Sequence, residues 1–157
     1  IARPGDLWWI IRPQPPFGTV EFRIFDLPTS VRRIGALAAI LQAAVATYQD
    51  YFSAGIPATF FHSGYLEQNE WSAMKNGLNA NIIEPETGDV ITTRRQLERL
   101  LEFVSPKGKE LHTEEHLNFA RTMIEQGNEA EQQRDLYKQF DGDLRALERE
   151  LARKTVN

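Results

Sequence analysis

Cysteine is missing from all 157 residues, which excludes disulfides, thiolate metal sites and a cysteine nucleophile and fits a reducing compartment. Positive charge is in deficit. Eighteen Lys and Arg stand against 22 Asp and Glu, for a net charge of -4, so no basic field draws in phosphate backbones and nucleic acid is not an expected partner. A bilayer-length apolar run is also lacking, because the longest, residues 34–46, is interrupted by Gln42 and is short and alanine-rich. Residues 1–6 have neither the basic start nor the apolar block of a signal peptide, and the chain opens on Ile1, so the start reads as a cut and the expected location is cytoplasmic. No glycine-rich phosphate loop of the P-loop or Rossmann type occurs.

What is present suffices for one ordinary domain with a real core, since 41% of residues are hydrophobic. Residues 7–12 (LWWIIR) and 19–25 (TVEFRIF) are β-branched and aromatic runs either side of Pro13-Gln14-Pro15-Pro16-Phe17-Gly18, which reads as a hairpin-like pair. In the second run the period of two places Thr19, Glu21, Arg23 and Phe25 on one face and Val20, Phe22 and Ile24 on the other. Thr29 or Ser30 caps a long helix over residues 31–53 with Ile34, Leu37, Leu41, Ala44, Val45 and Tyr48 at helical spacing. A short helix over residues 66–76 is stopped by Gly77, and a second small hairpin is expected around residues 81–92. Helices follow at 94–104, 114–126 and 129–140, the last with Asn128 and Glu131 in capping-box spacing. The tail from residue 143 carries Leu144, Leu147 and Leu151 as a narrow apolar stripe, a peripheral helix that packs on the body or on another subunit. Strands first and helices later give an α+β class.

The constellation with the most chemistry is Arg12 at the end of the first strand with Glu21 and Arg23 side by side on the second. A carboxylate there offers the oxygen that Mg²⁺ needs, and guanidiniums hold phosphate or carboxylate oxygens. The plain structural alternative is an amphipathic strand with exposed cross-strand ion pairs, and the E-x-R spacing alone identifies nothing. Trp8 and Trp9 read as strand packing residues. His112 and His116 lie four apart, but Thr113 caps the helix and leaves His112 outside it, so no metal pair is expected; His62 has no evident partner.

The string Trp8 to Asp26 (WWIIRPQPPFGTVEFRIFD) resembles the bacterial carboxylate-amine ligases related to glutamate-cysteine ligase, whose pattern is aromatic-x-IRP, FGT, then V/L-E-V/F-R-V/I-x-D. Residues 69–79 (NEWSAMKNGLN) are similar to that family's N-x-W and G-L-D/N helix, and residues 127–134 (GNEAEQQR) to its glycine-then-QR segment. Ile10 stands where the family often has an acidic residue, and Lys75 where Arg is usual. The resemblance covers most of this chain but only the C-terminal portion of a typical member, making residues 1–157 one piece of a larger ligase domain.

The resemblance implies a glutamine-synthetase-like fold, with an antiparallel sheet that is partial here packed against several helices. It also implies an ATP-dependent ligation in which Mg-ATP phosphorylates a carboxylate, glutamate's in the best-known relatives, and an amine such as cysteine's displaces phosphate. Glu21 would then ligate Mg²⁺, Arg23 would stabilise the transferring phosphoryl group, and Arg12 would bind substrate carboxylate or phosphate. Asn69 and Lys75 would contact the nucleotide, and Gln133 or Arg134 would join the site on resemblance alone. Expected partners are these small molecules, the N-terminal part of the same protein and a second copy in a homo-oligomer. The alternative is a non-catalytic nucleotide-binding or assembly module derived from the same family, which Ile10 and the absent N-terminal part favour.

Overall fold

The computed structural model describes Asp6 and residues 8–156. Leu7, the first residue of the expected strand, lies outside the described residues, as does the opening at residues 1–5. The order is β1 (Ile11–Gln14), β2 (Thr19–Phe22), α1 (Val31–Ser53), α2 (Ser63–Asn76), β3 (Asn81–Ile83), β4 (Val90–Thr92), α3 (Thr93–Glu110), α4 (Glu114–Gln126), α5 (Glu129–Gln139) and α6 (Leu144–Val156). Two separate antiparallel hairpins, β1–β2 and β3–β4, accompany these helices, in keeping with the α+β class and with part of a glutamine-synthetase-like fold.

The core is a triangle of α1, α3 and α4. Ala36, Ala39 and Ala43 recur on one face of α1 and are buried against Leu101 and Val104 of α3 and Leu117 and Ala120 of α4. Their small side chains let the backbones approach closely, and Ile40, Leu100, Phe103 and Met123 fill the margins. At the far end of α1, Tyr48 and Tyr51 pack on Phe103 with centroids 5.6 and 5.9 Å apart. Lys107 ties the same end down through ion pairs to Asp50 and Glu110.

The expected stop of the third long helix at residue 104 is corrected. α3 runs through Pro106 to Glu110, although proline removes one intrahelical donor. Val104 and Gly108 are both buried against neighbouring helices, so tertiary packing outweighs the local penalty. A side chain at Gly108 would strike Leu117 of α4, and glycine is what permits that close crossing. The short helix starts earlier than expected, at Ser63, because the His62 ring accepts a hydrogen bond from Gly64 N at 3.1 Å and caps it.

α2 is fastened to the second hairpin by side chains. Asn69 donates to Ile83 O and accepts from Ile83 N, both at 2.6 Å, and Ser72 donates to Asn81 O at 2.8 Å. α5 begins with the capping box: Asn128 accepts from Glu131 N at 2.8 Å, and Glu131 accepts from Asn128 N at 2.9 Å. The tail helix α6 packs on α5 and is capped by Asp143, which accepts from Arg145 N and Ala146 N. No described helix is long and apolar enough to cross a membrane.

Candidate functional site

The β1–β2 hairpin is shorter and shifted relative to the sequence reading. β1 begins at Ile11 and takes in Pro13 and Gln14, while the turn shrinks to a 3-10 segment, Pro15–Phe17, closed by Gly18. The register sets Arg12 opposite Glu21 and Gln14 opposite Thr19, and Arg23 N donates to Ile10 O at 2.8 Å, carrying the pairing one residue past β2. Alternation then places Arg12 and Gln14 of β1 on the same face as Glu21 and Arg23.

Those four side chains meet. Arg12 Nε donates to Glu21 Oε2 at 2.6 Å, and Gln14 Nε2 donates to the same oxygen at 2.7 Å. Arg23 Nε stands 3.8 Å from Glu21 Oε1, and its guanidinium lies over the Trp8 ring at 4.9 Å. The hydrogen bond from Arg12, then that from Gln14, holds the Glu21 carboxyl below the usual carboxylate range, with the charges of Arg12 and Arg23 adding to them against some desolvation. Glu21 is therefore a fixed anion with one oxygen held by donors and the other facing Arg23. The two guanidiniums beside this carboxylate are groups suited to phosphate or carboxylate oxygens.

Sequence reasoning missed Gln14, because the surrounding prolines read as turn; its offset of two from Arg12 was the available signal. The expectation that Trp8 and Trp9 pack within a strand is also corrected. Both precede β1 and are exposed, at 81% and 57%, with Trp8 acting as a ledge for Arg23. The apolar side of this segment is likewise partly uncovered, since Val20 of β2 and Ile24 just past it are about half exposed.

Asn69 and Lys75 sit elsewhere. The Asn69 amide bonds at both ends to Ile83 and holds α2 to β3. The Lys75 ammonium lies 4.8 Å from the centroid of the Trp71 ring, one turn earlier on α2. Lys75 also lines a cavity of about 590 Å³ together with Phe25, Met74, Leu37, Ile40 and Leu100. Arg134 reaches the same cavity; Gln133 is not among its lining residues.

The cavity wall contains a polar cluster that no local pattern announced. Glu129, first residue of α5, pairs with the buried Arg33 of α1 at 3.1 Å and accepts from Thr29 Oγ1 at 2.8 Å, a hundred residues away in the chain. Asn79 Nδ2 donates to Glu131 Oε1 at 3.1 Å, so the segments 69–79 and 127–134 meet at the start of α5. A side chain at Gly77, where φ is +57°, would strike Asn128. Of the histidines, His112 occupies a left-handed turn before α4 and His116 packs against Gly35 of α1.

A family model described as glutamate-cysteine ligase family 2 matches residues 1–150. The chain belongs to that family. A relative from Solibacter usitatus, named "Putative glutamate--cysteine ligase 2", is 32% identical over 141 residues, covering 90% of this chain and 36% of that protein. A Thermobifida fusca protein of the same name is 34% identical over 134 residues, covering 85% of this chain and 34% of the relative. One from Chloroflexus aggregans is 27% identical over 150 residues, covering 96% and 38%. This member of glutamate-cysteine ligase family 2 thus spans little more than a third of the length of the curated relatives it matches.

Proposed function

We propose that this chain supplies the Arg12–Glu21–Arg23 face of an ATP-dependent carboxylate-amine ligase of the glutamate-cysteine ligase type, with Mg-ATP, an amino-acid carboxylate such as glutamate's and an amine such as cysteine's as its reactants. The observation that carries the reading is the convergence of two guanidiniums on one ionised carboxylate. ATP supplies the phosphoryl group that makes the carboxylate an acyl phosphate, which the amine then attacks with loss of phosphate.

Arg23 and Arg12 neutralise oxygens that gain charge as the phosphoryl group moves, and they orient them because Glu21 and Trp8 hold their planes. Mg²⁺ takes oxygen ligands and commonly keeps waters and phosphate oxygens beside one or two carboxylates. Glu21 fits as one such ligand through Oε1, since Oε2 already accepts from Arg12 and Gln14. A single carboxylate makes an incomplete metal site, and further ligands come from the part of the ligase outside this chain. Lys75, which lines the cavity, adds a positive charge for a phosphate or carboxylate. Asn69 acts by fixing α2 on β3.

Calorimetric titration of Mg-ATP tests this in the full-length protein and in the 157-residue chain, each with Glu21 and with Glu21→Gln. Magnesium-dependent binding by the full-length protein that disappears in Glu21→Gln is the expected result. Unchanged binding in the variant removes Glu21 as a metal ligand and makes the assembly-module reading the better one.

A further inference from the structure

α1 is apolar on two opposite sides, and among the described residues only one of them is covered. Its inner side, Ala36, Ala39 and Ala43, is buried against α3 and α4. At 100° per residue, Val31, Ile34, Ala38, Leu41, Val45 and Phe52 fall within about a quarter of a turn on the reverse side, and Tyr48 at its edge turns in to pack on Phe103. That stripe runs the length of the helix, roughly 30 Å, and contains no charged residue. Val31 is 68% exposed and Phe52 84%, and Ile34 and Val45 are nearly half exposed. A solvent-facing helix side carries charge, as α3 and α6 do, whereas a helix apolar all round is a buried one.

We propose that the outer side of α1 is an internal packing surface, and that its occupant is the portion of the ligase polypeptide that the relatives carry beyond the stretch matched here. Nearly two thirds of the Solibacter usitatus relative lies outside that stretch, enough chain to form a covering layer. The β1–β2 hairpin points the same way. It is two strands wide, exposes Ile11 and Val20 at about half, and a two-stranded sheet gains stability by joining more strands or packing on another layer. In this arrangement α1 becomes a middle layer, with α3 and α4 on one side and the added polypeptide on the other.

The absence of cysteine provides the test. A cysteine replaces Val45 on the outer side, and in a second variant Asp135 on exposed α5, in both the 157-residue chain and the full-length protein. Thiol-labelling rates are read peptide by peptide in a mass spectrometer across a range of protein concentrations. The expected result is rapid labelling of Val45→Cys in the short chain and labelling slower by at least about a hundredfold in the full-length monomer. Asp135→Cys should label alike in both and so reports equal reagent access, and a third variant, Ala43→Cys on the buried inner side, should stay protected in both and so reports that each form is folded. Equal labelling at Val45→Cys in the two forms overturns the proposal. Protection in the short chain that grows with its concentration also overturns it, because the occupant is then a second copy.

Discussion

Arg12 and Glu21 face each other across the β1–β2 ladder, and the Nε of one donates to Oε2 of the other at 2.6 Å. Cross-strand register, not sequence proximity, makes this contact, and it gives Glu21 a defined orientation before any ligand arrives. Gln14 donates to the same oxygen from two residues further along β1, so one carboxylate oxygen is held by two donors while the other faces Arg23.

Replacing Arg12 with Lys keeps the charge and loses the planar donor that Glu21 accepts from. Mg-ATP affinity of the full-length protein is expected to fall by roughly tenfold, with the Glu21 carboxyl titrating closer to its ordinary value. Calorimetry and carboxyl-carbon NMR read the two effects; an unchanged titration midpoint would show that the Arg12 contact does not orient Glu21.

Acid should loosen the hairpin late. Because the folded-state pKa of Glu21 is lowered, its contribution to stability is present above the unfolded value of about 4.3 and is lost as pH falls through the lower folded value. Amide signals of residues 11–14 and 19–22, followed by NMR from pH 7 downwards, are expected to keep their dispersion until the pH passes below the ordinary carboxylate range. Loss of dispersion near pH 5 would contradict the lowered pKa.

Glu129→Gln leaves Arg33 as a buried cation without its carboxylate partner. Breaking a buried pair from one side costs about 3 kcal/mol, so the midpoint of urea unfolding should drop clearly while the slope is kept. The double variant Arg33→Met, Glu129→Gln should recover part of that loss, because no uncompensated charge remains. Failure of the second substitution to recover anything would mean the pair is not the source of the cost.

Asn128→Ala removes the cap of α5 and the acceptor for Glu131 N. A loss of about 1 kcal/mol is expected in thermal or urea unfolding. Asn128→Asp, which keeps an acceptor and adds charge at a helix N-terminus, should be close to neutral.

Much of this molecule was legible in its residues. The span of α1, the start and end of α4, the capping box of α5 and the β3–β4 hairpin follow from punctuation and period, which act over a few residues. The grouping of Arg12, Glu21 and Arg23 on one face follows from strand alternation, and the resemblance to glutamate-cysteine ligases follows from residues 8–26 and 69–79, matching the family to which the chain belongs. Local patterns could not say how far α3 runs, because the burial of Val104 and Gly108 between helices overrides Pro106. Nor could they reveal that Glu129 meets Thr29 and Arg33, that Asn69 bonds to Ile83 at both ends, or that Gln14 shares an oxygen of Glu21 with Arg12. Those pairings depend on how elements distant in the chain are brought together in space. The sequence determined which segments are helix or strand and which family they serve; the tertiary structure decided which polar groups meet and which apolar side of α1 is covered, because contacts between distant segments exist only once those segments pack.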